Sequence, residues 1–218
     1  MKKLLFVSTG RCGTTRIAEI LKDKLPCDHF TVVHQMRLSR LGNVIGNLMY
    51  YCGGSELIKQ SLYSFIISKY ARRKHFVSTD PLTAMIIPTR YAASPDVCIV
   101  HILRDDDSFA ASMLSFSRCR LQSMIAHNLI PLWQPGLWPF ENLLNKNIRG
   151  KYKKISDLKN NLILNTYSHS ENYIRAKMTD LFATNMLQEI VNRWFDEKIE
   201  ITTTDLKRKA NESRSSSY

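Results

Sequence analysis

The sequence predicts an α/β fold, a three-layer sandwich in which a central parallel sheet carries helices on both faces. Residues 4–21 (LLFVSTGRCGTTRIAEIL) read in succession as a buried strand, a glycine-bearing turn and a helix. Val97–Leu103 (VCIVHIL) is a second apolar run of the kind that a strand buried on both faces requires. Between them, Phe30–Val33 (FTVV) and His75–Ser78 (HFVS) are short β-prone runs separated by stretches of helical spacing, the alternation that builds a parallel sheet.

The first apolar run is Leu4, Leu5, Phe6 and Val7, and residues 8–13 form the turn. Thr14, Thr15, Arg16, Ile17, Ala18, Ile20 and Leu21 follow at helical spacing. This order aims backbone N–H groups and the positive end of a helix dipole into the loop, so an anion is the expected occupant. The run Gly10-Arg11-Cys12-Gly13-Thr14-Thr15 departs from the phosphate-loop pattern GxxxxGK[ST], which would place Lys where Thr14 follows Gly13. Arg11 supplies positive charge earlier instead. Gly13 lets backbone approach an anion, Thr14 and Thr15 offer hydroxyls, and Arg11 is suited to neutralise a leaving phosphate. The same residues also fit a plain strand-turn-helix with a capping threonine.

Pro26 breaks the helical pattern, and the second strand leaves His34 and Gln35 at a carboxyl end, the edge where open α/β sheets carry their ligand crevice. His34 is there either a general base or a histidine that caps a strand. Residues 36–70 carry apolar residues at mixed helical spacing, split into two helices by Cys52-Gly53-Gly54-Ser55. Leu38, Leu41, Val44, Ile45, Leu48 and Met49 either wall an acceptor pocket or cover the sheet, while Arg37, Arg40, Arg72, Arg73 and Lys74 add basic charge. After the third strand, Asp80 is placed to cap a helix that Pro81 opens at its first position. Residues 91–96 read as a loop into the fourth strand, which Arg104 ends. Asp105, Asp106 and Asp107 crowd the next helix start, where the dipole favours acids. Arg104 either pairs with those aspartates or faces a ligand. Ser112 lies eight positions on, a strand-end turn plus about one and a half helical turns away, and is either a small helix residue or a second contact in the same crevice.

Residues 10–15 together with the Arg104 and Ser112 pair resemble the sulfotransferases that use 3′-phosphoadenosine 5′-phosphosulfate (PAPS), of a soluble or bacterial type. In that family a basic residue, a small residue, Gly and two hydroxyl residues open the helix and hold the 5′-phosphosulfate. An arginine and a serine eight positions later bind the 3′-phosphate. The resemblance spans roughly the first 120 residues. It implies a P-loop-like phosphosulfate-binding loop of Gly10, Arg11, Cys12, Gly13, Thr14, Thr15 and Arg16, with Arg104 and Ser112 at the 3′-phosphate. Cytosolic members carry Lys-Thr-His at the third-strand end, whereas Ser78 is followed here by Thr79 and Asp80. The expected base is therefore His34, with Asp80 second. The late Arg-Lys-Gly run of cytosolic members is absent, and Lys207, Arg208 or Lys209 is expected to substitute. Their late RYEDL is written AKMTDL at residues 176–181.

Further along, residues 130–140 (IPLWQPGLWPF) read as an irregular apolar loop, a lid or acceptor wall. Trp133 and Trp138 there either stack on a sugar or aromatic acceptor or pack on their own domain. Residues 146–159 are a basic helix or connection, residues 173–178 a late strand, and residues 198–204 an edge strand. Residues 184–195 place Met186, Leu187, Ile190, Val191 and Trp194 on one helix face. One domain is expected over residues 1–205, followed by a basic, serine-rich and partly disordered tail over 206–218.

The composition agrees with one soluble α/β domain: 218 residues, 44% hydrophobic and 23% charged. Lys and Arg number 31 against 19 Asp and Glu, a net charge of +12 that favours anionic partners. Cys12, Cys27, Cys52, Cys98 and Cys119 are scattered and odd in number, without metal or disulfide spacing, which points to a reducing, cytoplasmic location. Met1-Lys2-Lys3 ahead of an apolar run imitates a signal peptide, but the run stops at Ser8 with a functional-looking loop behind it. No stretch approaches the roughly 20 apolar residues of a membrane span.

The resemblance implies a PAPS-dependent sulfotransferase, a scheme that requires no metal. It would move a sulfuryl group to a hydroxyl, or an amine, of a small-molecule, lipid or glycan acceptor, with no nucleic acid partner expected despite the basic charge. Two other readings use the same loop. One is a P-loop phosphotransferase or kinase acting on a nucleotide or small molecule, and the other is a non-catalytic nucleotide- or polyanion-binding relative.

Overall fold

A computed structural model describes residues 1–70, 74–119 and 147–207 of the chain. Strands β1 (Lys3–Val7), β2 (Phe30–Val33), β3 (His75–Ser78), β4 (Val97–Leu103) and β5 (Tyr173–Lys177) form one parallel sheet in the order β2-β3-β1-β4-β5. The central strand explains the order. In β1, Leu4 and Phe6 join one core with Val77, Cys98, Val100 and Ile102. Leu5 and Val7 join the opposite core with Phe76, Val97 and Ile99. A strand with apolar side chains on both faces needs a neighbour on each edge and a layer on each side. Leu4 accordingly lies between Val77 of β3 and Cys98 of β4.

Helix α1 (Thr14–Lys24) covers the Leu4 face through Ile17, Ile20 and Leu21. The same face receives helices α7 (Met178–Ala183) and α8 (Met186–Phe195), which bring Leu181, Leu187, Ile190, Val191 and Phe195. The opposite face is covered by helix α3 (Glu56–Ile67), the short α4 (Thr89–Ala92) and the end of α6 (Ile148–Tyr167). Helix α2 (Ser39–Cys52) approaches the chain after β3 through its glycines. A Cβ on Gly46 would stand 2.7 Å from Met85 Cβ, so only hydrogen permits this packing. Helix α5 (Asp106–Cys119) packs on α6 through Phe109, Ala110 and Met113 against Tyr152 and Ile155.

The structure departs from expectation in three places. Residues 198–204 do not form an edge strand. Side chains of α8 satisfy that backbone instead: Asn192 exchanges two hydrogen bonds with Ile199, and Gln188 accepts from the Ile201 amide. The chain then turns into helix α9 (Thr203–Lys207), which Thr202 and Asp205 close reciprocally. The helix after Asp80 is a single 3₁₀ turn, Pro81–Thr83. Residues 91–96 begin inside α4, not as a loop. The helix expected over 184–195 forms from Met186, where the Thr184 hydroxyl accepts from the Met186 amide and starts α8. The basic stretch is helical from Ile148, opened by the Asn147 side chain on the Gly150 amide. Residues 130–140, with Trp133 and Trp138, and the tail from Arg208 onward lie outside the described residues. Among the described residues no helix is long and apolar enough to cross a membrane.

Candidate active site

Because all five strands are parallel, their carboxyl ends meet at one edge of the sheet. The loop after β1, His34 after β2, Thr79 and Asp80 after β3, and Arg104 after β4 all come to that edge, the usual ligand crevice of an open α/β sheet.

Between β1 and α1 the backbone enters the left-handed region three times, at Gly10 (φ 86°), Arg11 (φ 54°) and Gly13 (φ 75°). A non-glycine residue held there is strained and needs its neighbours to hold it. The loop supplies such contacts: Ser8 Oγ accepts from the Gly10 amide at 3.1 Å, and Cys12 Sγ donates to the Gly10 carbonyl at 3.0 Å. Gly13 has two reasons to be glycine, its positive φ and the Phe182 ring, which would lie 2.5 Å from an added Cβ. Gly13 also occupies the N-cap of α1 and has no side chain to offer, so the alternative reading of a capping threonine does not hold. The first amides of α1 have no intrahelical partner and point toward the loop, as an anion requires. Thr14 is buried beside them and Thr15 half-buried. Burial raises the Cys12 thiol above its ordinary pKa, which keeps it protonated and unreactive.

Arg104 and Ser112 meet this loop. The Arg104 guanidinium donates to the Arg11 carbonyl through Nη1 and to Ser108 Oγ at 2.9 Å through Nε, while Arg11 Nε donates to Ser112 Oγ at 3.2 Å. The alternative pairing of Arg104 with the following aspartates does not occur. Asp105 caps α5 by accepting from the Ser108 amide at 2.9 Å. Asp107 takes Arg149 at 2.6 Å and Lys153 at 2.8 Å from α6. Two guanidiniums therefore share one corner, and burial followed by the Arg104 charge lowers the Arg11 pKa. Such a corner gains most from an incoming anion. Arg16 behaves differently from its loop neighbours: its guanidinium donates to the Asp205 carbonyl and pairs with Glu19 at 3.5 Å, tying α1 to α9.

On the other side of the loop, His34 is fixed by both ring nitrogens. Nδ1 donates to the Thr79 carbonyl at 3.0 Å, which leaves Nε2 as the acceptor of the Thr15 hydroxyl at 3.0 Å. Burial is the larger influence on this imidazole and pulls its pKa below the ordinary value, so it stays neutral near pH 7. A neutral Nε2 facing the loop is the state a proton acceptor needs. Asp80 is fully buried, with Oδ1 accepting from the Leu82 amide at 2.9 Å and Oδ2 from the Met36 amide at 2.8 Å. Ser39 adds a third hydrogen bond. Asp80 is thus the cap that the sequence predicted for the Pro81 turn, and it also ties that turn to the loop carrying His34. That tie stabilises the left-handed Gln35 (φ 56°) next to Met36. Arg208 and Lys209 lie outside the described residues.

Sequence reasoning missed Thr79 and Ser108, which fix His34 and Arg104, and it missed Lys159. Lys159 is fully buried on the inner face of α6, and its ammonium donates to the Pro81 carbonyl at 3.3 Å. The signal was legible, because Tyr152, Ile155, Lys159 and Ile163 recur at intervals of three and four, so this lysine falls in register with an apolar face.

No protein-family model and no curated protein matches the sequence. Solved structures do. A mouse sulfotransferase, SULT7A1, in complex with PAP is similar over 100% of this chain and 67% of its own, at 12% identity and a TM-score of 0.55. A sulfotransferase from Alicyclobacillus acidocaldarius is similar over 96% of this chain and 86% of its own, at 11% identity and a TM-score of 0.52. The sulfotransferase domain of the curacin biosynthetic pathway covers 95% and 78% respectively, at 13% identity and a TM-score of 0.50. The chain has a sulfotransferase-like α/β fold.

Proposed function

We propose that the protein is a sulfotransferase that moves a sulfuryl group from PAPS to an acceptor hydroxyl. The observation that carries the proposal is the corner where the left-handed loop at residues 10–13, the uncapped start of α1 and the Arg11, Arg104 and Ser112 set converge. Their donor set fits a ligand with phosphate groups at two positions, amides and Thr14 on one side, guanidiniums and serines on the other. The likeness in fold to a sulfotransferase crystallised with PAP supports the same assignment.

In this proposal PAPS supplies the sulfuryl group as a phosphosulfate anhydride. The loop amides and Arg11 stabilise the negative charge that grows on the bridging oxygen as the phosphate leaves, a kind of stabilisation each donor of which is worth about 10²–10³ in rate. Arg104, with Ser112, holds the 3′-phosphate and so distinguishes this donor from other adenine nucleotides. His34 Nε2 accepts the proton of the acceptor hydroxyl, which takes the place of the Thr15 hydroxyl as its hydrogen-bond donor. Asp80 holds the two loops that carry His34 and Thr79 in register.

The test is calorimetric titration with 3′-phosphoadenosine 5′-phosphate (PAP) beside ADP and 5′-AMP, without magnesium. Micromolar binding of PAP alone is expected. A preference for ADP or ATP with magnesium would overturn the proposal in favour of phosphoryl transfer, and absence of nucleotide binding would overturn it in favour of a non-catalytic protein.

A further inference from the structure

Eight of the ten large apolar side chains that lie exposed among the described residues fall between Leu38 and Phe65, the hairpin of α2 and α3; the other two are Met1 and Ile148. An exposed cluster of this kind marks a contact surface, since a monomer gains nothing by leaving it in water. The two helices run antiparallel. A Cβ on Gly42, early in α2, would stand 2.9 Å from Ile66 Cδ1, late in α3, and the Arg37 amide donates at 3.0 Å to the Tyr70 hydroxyl just past α3. Their inner faces are packed: Gly42 and Gly46 meet Ile86 and Met85, while Tyr63, Ile66 and Ile67 enter the core on that face of the sheet. On the outer side Leu41, Ile45 and Leu48 recur at intervals of four and three on α2, and Ile58, Leu62 and Phe65 do the same on α3. Ile45 and Leu62 are half-buried and the other four exposed, Phe65 to 66%.

Charge decides what fits this surface. At the end of the hairpin that the Arg37 and Tyr70 bond draws together, Arg37, Arg40 and Lys69 are exposed and enter no ion pair among the described residues. Glu56, the one acid between Met36 and Tyr70, sits at the turn and is engaged, taking Lys59 at 2.8 Å and the Thr89 amide at 2.9 Å. A second copy of the chain, itself at +12, would set this surface against its own kind and offer the basic end no free carboxylate.

We propose that the outer face of α2 and α3 is a docking surface for an anionic lipid bilayer. The apolar stripes enter the boundary between headgroups and acyl chains, while Arg37, Arg40 and Lys69 meet lipid phosphates. The helices lie on the bilayer and do not cross it, because 14 and 12 residues fall short of the roughly 20 that a span needs. Residues 35–38 join β2 to α2, so docking sets the His34 edge of the crevice beside the lipid. The inference stands apart from the donor reading, since docking needs no nucleotide.

The experiment is co-sedimentation of the full chain with phosphatidylcholine vesicles, with and without phosphatidylglycerol, at low and at high salt. Binding is expected only with the anionic lipid and should fade as salt screens it. Arg37→Gln with Arg40→Gln should weaken it by about fivefold per residue replaced. Arg193→Gln with Lys198→Gln removes the same charge from α8 and the residues after it, across the sheet, and should change binding by less than about twofold. Leu48→Gln with Phe65→Gln, both at exposed positions, should keep the wild-type circular dichroism and bind at least about tenfold more weakly, with Phe65→Gln alone giving a smaller loss of the same kind. Absence of sedimentation with anionic vesicles overturns the inference. So does binding that ignores the Leu48 and Phe65 substitutions, or that falls equally when Arg193 and Lys198 are replaced, because either marks attraction by net charge alone. A dimer in sedimentation velocity that Phe65→Gln abolishes, without vesicle binding, overturns it in favour of a second copy.

Discussion

On the β4 side of the anion loop, Arg11 and Arg104 are held by Ser112, by Ser108 and by a backbone carbonyl. On the β2–β3 side, His34 is held by Thr15 and Thr79, and the Asp80 carboxylate is consumed by backbone amides. On the first side, hydroxyls and a backbone carbonyl orient both guanidiniums. The second side keeps a neutral imidazole and buries its one acid where an acceptor cannot reach it. The proposed function gives charge stabilisation and proton acceptance to opposite walls of one crevice, with Thr15 between them.

Breaking the histidine wall should have the largest effect. His34→Gln is expected to lower kcat by about 10²–10⁴ while PAP affinity stays within about threefold, as measured by steady-state kinetics and calorimetry. In the wild type, kcat should hold level as pH falls through 6.5 and decline only on the more acid side, because the lowered pKa keeps His34 unprotonated through that range. If transfer survives in His34→Gln and is lost in a folded Asp80→Asn, the base is Asp80 instead. Breaking the arginine wall at its inner member comes next. Arg11→Ala should cost about two orders of magnitude in kcat, and near-normal turnover would remove it from the mechanism. Arg104→Ala should be smaller and different in kind. PAP binding should weaken by about ten- to a hundredfold, with 5′-AMP much less affected, and equal weakening of both would refute the 3′-phosphate assignment.

The smallest effect lies behind the crevice, where His101 in β4 accepts from the Tyr173 hydroxyl at 2.7 Å and donates to Asn160 at 3.1 Å. Burial pushes its pKa down to about 4. The unfolded chain then binds more protons than the folded one between about pH 6.5 and 4, so His101 supports folding fully above that window and loses the contribution as pH falls through it. Urea unfolding should show stability lower by on the order of 2 kcal/mol at pH 5 than at pH 7.5, with a flatter dependence in His101→Gln.

The strands were legible because a strand buried on both faces leaves an unbroken apolar run: β1 and β4 each alternate their side chains between the two cores. The expected edge strand at 198–204 failed for a reason that local pattern does not carry. Its backbone partners are the Asn192 and Gln188 side chains of a helix, and a β-prone run looks the same whichever partner satisfies it. The left-handed turn after β1 was legible from Gly10 and Gly13, whereas Arg16, read as part of the same motif, is taken up by Glu19 one turn on and by Asp205 far along the chain.

By itself, then, the sequence determined the parallel sheet, the loop with its arginine and glycines, and the positions of His34 and Arg104 at strand ends, because each depends on residues near one another in the chain. Only the tertiary structure decided that Ser112 meets Arg11, that Asp80 ties two loops instead of facing an acceptor, and that Lys159 is buried by the site and not solvated on a basic helix. Those contacts join residues tens of positions apart, and whether a charge is solvated or buried depends on which elements the fold packs against it.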